Sequence, residues 1–389
     1  MMNARTQKRG PGFRVNASRT ILVFSVFALL SRMPIDAAPL DEKLVRESQE
    51  AMEKADPFMG DWQGSFTQKN NKRSSPLVAQ VVALGKGRYH ATLLPEFDKR
   101  TTPIASLEGR RDGDTVRFIG WGDVSCYRGP DWDGLIEEGK FTGSVPAREG
   151  GTFELHKVVR ISPTLGAAPP VGAIVLFDGK NFDQWESFRR AAPSKSPAGK
   201  GAARKGGTAK SDPSQPAASK PAPAKSALRI PAPMKWVIVD DAMHPTSGSG
   251  SVFTKQKFMH FKLHVEFRTP FMPEKREQDR GNSGVLFHRR EVQVLDTYGL
   301  GGRDKECGAI YARVAPLVNL CAPPLQWQTY DITVEAPDKN ANARLTVLHN
   351  GVTVHEGLDL GPLTEPTGIE LQNHGNPVAY RNVWLVELP

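Results

Sequence analysis

Cysteine is nearly absent. Cys126, Cys307 and Cys321 are the three in 389 residues, and none has the paired spacing of a structural zinc site. Long apolar runs are also lacking: ILVFSVFALL, Ile21 to Leu30, is ten residues, about half of the roughly 20 that a membrane-spanning helix needs. No G-x-S-x-G elbow is present, which removes the common serine hydrolase reading. GLGGRD at 299–304 lacks the strand, turn and helix context of a dinucleotide loop. His260 and His264 are four apart, and on a strand that is roughly 13 Å, too far for one metal. No ligand set has the spacing of a metal loop, so no cofactor is expected and a divalent cation is left open.

Basic charge outside two segments is the next absence. The net charge of +9 comes from residues 1–38, which carry +5, and residues 189–229, which carry +9, so the remainder is −5. A nucleic-acid partner is not expected, because no folded stretch clusters basic residues with interleaved aromatics. With 39% hydrophobic and 24% charged residues, the chain is globular and long enough for about two to three domains.

Residues 1–38 read as a signal peptide: Arg5, Lys8, Arg9, Arg14 and Arg19 precede the apolar run, and small Ala37 and Ala38 follow it. The expected destination is the periplasm or the extracellular space, with no membrane span after cleavage and an uncleaved N-terminal anchor as the alternative. An oxidising compartment would permit a Cys307–Cys321 bridge, with Cys126 left over; three buried thiols are the competing expectation.

Residues 40–55 have helical composition. From 56 to 162 the pattern becomes short runs bounded by Gly, Asp and Pro, including RDGD at 111–114, which predicts about seven strands in a small antiparallel barrel or sandwich. Trp62, Tyr89, Phe118 and Trp121 read as core, with a ligand-binding surface as the lesser alternative. Pro169 and Pro170 mark a seam, and a second domain runs over 173–389. Its insertion at 189–229 is dense in Ala, Pro, Ser, Gly and Lys, too poor in large apolar residues to offset its ordering entropy. Around it, long alternating runs and Asn350-Gly351 between two of them predict about ten strands in an all-β, two-sheet jelly roll.

The two-residue period then sorts the polar side chains. Glu266 and Arg268 oppose Val265 and Phe267, and Glu291 and Gln293 oppose Val292 and Val294. In a closing strand, Glu370, Gln372 and His374 oppose Ile369 and Leu371. A merely solvated face favours Lys, Thr and Ser, whereas this set makes paired, directional hydrogen bonds, as sugar hydroxyls require. A carbohydrate groove on one concave sheet face is the expectation, set against an ordinary solvated face.

These stretches carry a resemblance. IVLFDGKNFDQW, HVEFRT, GNSGVLFHRREVQVLD, CGAIY, LQWQTYDITV and GIELQNHGNPVAYRNVWLVEL resemble, in order, the bacterial 3-keto-disaccharide hydrolase domain family, also described as 3-keto-glucoside lyase and 2-hydroxy-glucal hydratase. The resemblance implies a concanavalin-like fold and a distinctive chemistry: a C3 ketone acidifies the C2 proton, a base removes it, the C1 substituent leaves, and water adds. It implies His374 or Glu291 as base, Arg268 at the enolate, and Glu266, Asn282, Gln293 and Gln372 as positioning groups beside Glu370. Glucanases of related shape carry a motif close to E-x-D-x-x-E. Here EVQVLD places Gln293 where the middle acid would be and Asp296 off the face, which disfavours direct retaining hydrolysis. The alternatives are a noncatalytic glycan-binding module and an envelope protein whose first barrel is the active part. Oligomeric state is not legible.

Overall fold

The computed structural model describes residues 50–124, 127–145, 150–190, 229–336 and 341–389, without the side chains of 123–131, 189, 190 and 229. The proposed leader, most of the 40–55 helix, residues 191–228 of the insertion and Cys126 lie outside them; residues 189, 190 and 229, expected as the ends of the insertion, are instead strand, with Arg190 paired to Arg229. The described end of the helix is residues 50–55.

Eight strands then form a closed antiparallel barrel: β1 (Gly60–Gln68), β2 (Ser74–Gly85), β3 (Arg88–Leu94), β4 (Ala105–Asp112), β5 (Thr115–Val124), β6 (Tyr127–Glu137), β7 (Lys140–Val145) and β8 (Gly151–Val158). Each strand pairs with the next, and β8 closes onto β1 with Phe153 opposite Phe66. Alternation decides what faces inward. In β8, Phe153 and Leu155 are buried while Thr152, Glu154 and His156 are exposed. An eight-stranded barrel has an interior just wide enough for side chains to fill, and here Trp62, Trp132, Phe118 and Phe141 fill it.

The second region is a two-sheet sandwich. One sheet has the order β11 (Arg229–Ala232), β10 (Trp185–Arg190), β14 (Ser251–Thr254), β21 (Glu370–Leu371), β16 (Ser283–Phe287), β17 (Arg290–Val294). The other runs β12 (Val237–Val239), β13 (Ala242–His244), β22 (Ala379–Glu387), β15 (Phe261–Arg268), β18 (Gln328–Glu335), β19 (Ala343–His349), β20 (Val352–Gly361), with β9 (Ile174–Phe177) also paired to β22. Asn350 and Gly351 join β19 to β20 with both residues at positive φ, 48° and 78°, the tight hairpin that Asn-Gly favours. Val265, Phe267, Tyr330 and Tyr380 of the second sheet face Val285, Val292 and Leu371 of the first across the core. Hydroxyls tie the sheets: Tyr330 donates to the Gln293 carbonyl at 2.6 Å, and Tyr380 meets Ser283 Oγ at 2.6 Å.

Barrel and sandwich are fastened by specific bonds. Tyr298 donates to Asp61 at 2.7 Å, and Arg100 donates to the carbonyls of Gly302, Pro316 and Leu317 at 2.7, 2.9 and 3.0 Å. The expected Cys307–Cys321 bridge is absent: both are free, buried thiols, and Cys307 Sγ lies 3.2 Å from the Tyr330 hydroxyl. Among the described residues no helix is long and apolar enough to cross a membrane.

Candidate functional site

The outer face of the six-stranded sheet gathers most of the polar residues singled out above. In β17, Val292 and Val294 point into the core and Glu291 and Gln293 point out. In β21, Leu371 is buried and Glu370 faces out. Register sets their neighbours: Leu286 of β16 stands between Glu370 and Glu291, and Gly284 pairs with Gln293. The Gln372 backbone N–H donates to the Gly284 carbonyl at 3.0 Å, so the amide side chain follows Glu370 along the same face.

Gly284 shapes the floor. A Cβ there would lie 2.5 Å from Glu291 Oε1, so the Glu291 carboxylate occupies space that only glycine leaves open. Burial pushes the Glu291 carboxyl up, and the negative charge of Glu370 adds to the rise, to about 7. The Gln293 amide sits between this carboxylate and Asn282; turned with its NH2 toward the carboxylate, it donates to Glu291 Oε1 at 3.0 Å and to the Ser283 carbonyl at 3.2 Å. Asn282 is itself held by the Gln278 carbonyl at 2.8 Å and, through its backbone N–H, by Asn376 Oδ1 at 2.7 Å.

Beside these residues a groove of about 510 Å³ runs over β14 and β10, lined by Glu370, Gln372 and His374 on one side and Phe253 and Phe188 on the other. The two rings meet edge to face at 5.2 Å. The side-chain oxygen of Gln372 is buried with no hydrogen-bond partner among the described residues, the condition a bound hydroxyl would relieve. His374 reaches the groove by a different route from the expected one. The strand ends at Leu371, and His374 lies exposed in the loop leading to β22.

Glu266 and Arg268 do not join this site. They share a face, as alternation requires, but it is the outer face of the other sheet, on the far side of the core. There Glu266 is fully buried: Arg381 donates to it at 2.7 Å, Asn382 at 2.9 Å and the Gly166 backbone N–H at 2.5 Å. Arg268 stacks over Trp327 at 4.7 Å, with Arg381 over the same indole at 4.1 Å. Asp296 is buried and bonded to Arg280 at 2.6 Å. Among the described residues no group of three or more His, Cys, Asp or Glu could hold a metal ion.

This sandwich, with its polar groove on one sheet, can be set beside known proteins. The 3-keto-alpha-glucoside-1,2-lyase-like domain matches residues 172–386. The chain belongs to that family. No curated protein matches it. Of solved structures, two described as a "putative glycosyl hydrolase" from Parabacteroides distasonis are similar. One has 28% identity over 56% of this chain and 85% of that one, TM-score 0.42; the other has 18% identity over 56% and 94%, TM-score 0.35.

Within the lyase-like domain, sequence reasoning missed Gly284, Phe188 and Phe253. The aromatics had a signal: in WESFRR and SVFT each Phe falls on the outer face, an apolar residue where polar ones are expected. Gly284 had none, because the space it opens is visible only once β16 and β17 are paired. Gly284→Ala is expected to displace the flexible Glu291 side chain rather than the backbone, lowering turnover by at least about tenfold with an almost unchanged Tm. Steady-state kinetics beside a thermal melt check this, and equal turnover would refute it.

Proposed function

We propose that the chain is an exported lyase and hydrolase of 3-keto-glycosides, with Glu291 as the base that removes the C2 proton. The observation that carries the reading is a carboxyl raised to about 7 beside a sugar-sized polar groove of the family's domain, since a base works best when its pKa lies near the operating pH. The C2–H pair becomes the enolate of the C3 ketone. The enolate then collapses, C1=C2 forms, and the C1–O bond breaks with its electrons leaving on the alcohol, which takes a proton from an acid. Water adds across C1=C2, its oxygen to C1, giving 3-keto-glucose.

The groove supplies candidates for the other roles. His374 stands on its exposed rim, where a leaving alcohol would emerge, and we assign it the protonation of that alcohol. Arg268 is on the wrong sheet to meet the enolate; the Gln372 amide, which lines the groove beside Glu370, takes that role, and the buried Gln293 amide holds Glu291 in place. The half-buried Phe188 ring, backed edge to face by the buried Phe253, offers an apolar surface to a second sugar unit.

The test is incubation of the purified chain with 3-keto-trehalose, 3-keto-sucrose and the unoxidised parents, following 3-keto-glucose and the glucal. Turnover of the keto sugars alone is expected; cleavage of the parents, or of neither, overturns the reading. His374→Ala is expected to lower kcat about 10²-fold or more with little change in sugar affinity, read by a KM-against-kcat split. Loss of affinity with unchanged kcat would remove it from the chemistry.

A further inference from the structure

The outer face of the barrel carries a second constellation. Of the four aromatics read as core, Trp62, Tyr89 and Phe118 are buried, but Trp121 is 46% exposed, and Ile119, two residues earlier on β5, is 73% exposed. Alternation sets Trp121 outward: Val116 and Phe118 face the barrel interior, so Ile119 and Trp121 take the outer phase of β5, with Gly120 and Gly122 on either side of the indole. Both glycines are required by close packing, since a Cβ at Gly120 would lie 2.2 Å from the Ser106 carbonyl and one at Gly122 2.4 Å from the Trp132 indole.

Strand pairing arranges the neighbours in three rows across β3, β4 and β5. Thr92, Ser106 and Trp121 form one; His90, Glu108 and Ile119 the next; Arg88, Arg110 and Arg117 the third. His90 Nδ1 pairs with Glu108 at 2.9 Å, and Ser106 Oγ lies 3.5 Å from His90 Nε2. The three arginines stand directly opposite one another and are exposed, and among the described residues none of them has a carboxylate within ion-pair distance. Like charges placed opposite on adjacent strands cost stability. An anion bound along the row would offset that cost.

We propose that this barrel face binds a linear acidic glycan. One sugar ring stacks on Trp121, the Ser106 hydroxyl and the His90–Glu108 pair hydrogen-bond the next, and the arginine row takes a carboxylate or sulfate further along the chain. From Trp121 to Arg117 is four residues of strand, roughly 13 Å, the reach of a short oligosaccharide. His90, Thr92 and Ser106 also line a groove of about 300 Å³ that runs toward Leu300 and Asn319. Nucleic acid fits less well, because Trp121 is a single stacking platform here, whereas a single strand stacks successive bases on several aromatics. This site does not depend on the chemistry assigned to Glu291.

The experiment is affinity electrophoresis of the full chain in gels containing polygalacturonate, alginate, heparin, neutral dextran or single-stranded DNA. Retardation by at least one acidic glycan is expected, weakened about fivefold or more in Trp121→Ala and in the Arg110→Ala/Arg117→Ala double variant, and unchanged in Glu291→Gln. Turnover of keto sugars is expected to persist in both barrel variants. Retardation by none of the three acidic glycans, equal retardation by dextran, stronger retention by DNA, or no effect of the barrel substitutions would each overturn the proposal.

Discussion

Glu291→Gln is expected to lower turnover of 3-keto disaccharides by about 10²- to 10⁴-fold, the range that removal of a general base produces. The amide is close to isosteric, so the Gly284 floor and the Gln293 contact survive and the fold is unchanged. The pH profile carries the stronger evidence. A base must be ionised, and the Glu291 carboxyl is pushed up to about 7 by burial first and by Glu370 second, so kcat/KM of the wild type should rise with pH up to about 7 and then level off. In Glu370→Gln the negative neighbour is removed, and the inflection should move to lower pH. An inflection that stays in place in Glu370→Gln, or residual activity in Glu291→Gln within about tenfold of wild type, would take the base role away from Glu291.

Glu266→Gln is expected to destabilise the chain by about 3–5 kcal/mol, the cost of removing one partner from a buried charge pair, measured by denaturant unfolding. Burial alone would raise the Glu266 carboxyl, but His264, whose Nε2 lies 3.6 Å away, and the charge of Arg381 outweigh it and hold it down at about 2. Burial would likewise lower His264, yet Asp331, bonded to it at 2.6 Å, and Glu266 raise it to about 9. The two shifts set a pH window. The Glu266 contribution is complete above its unfolded value near 4.5 and is lost as pH falls toward 2. The His264 contribution is complete below 6.5 and is lost as pH rises through 9. The network thus supports the fold most between about pH 4.5 and 6.5, and Glu266→Gln should flatten the acid limb of the stability curve. A loss within about 0.5 kcal/mol would show the network to be energetically idle.

Glu266 and Glu291 show how much of the molecule was legible. Each alternates with buried valines or phenylalanines, and that local period correctly marks strand, core side and polar side for both. The period does not say which of two sheets a strand joins, because that depends on pairings between residues far apart in sequence: β15 lies between β22 and β18, whereas β17 pairs with β16. Two carboxylates with the same local signature therefore stand on opposite outer faces of the sandwich. Glu291 stands on the side of the groove-lining Glu370, and Glu266 is sealed under a connection. The barrel was legible from its turn residues and the jelly roll from its long alternations, while the two-residue β21 was not, since its neighbours Gln372 to His374 keep a polar alternation after the pairing has stopped. Trp121 could have been found: Val116 and Phe118 set the buried phase of β5, and Trp121 falls out of it.

The connection over Glu266 also bears on where the sandwich begins. The family match starts at residue 172, yet the Gly166 N–H bonded to Glu266, the Thr164 hydroxyl bonded to Asp331 at 2.7 Å and the Ala167 carbonyl that accepts from Asn382 and Trp384 all precede it. These donors and acceptors complete the charged layer on the outside of the eight-stranded sheet. The lyase-like domain in this chain is accordingly bonded across its own family boundary. Its outer wall is on loan from the residues that lead out of the barrel, so a cut at residue 172 would strip bonding partners from Glu266, Asp331, Asn382 and Trp384 together.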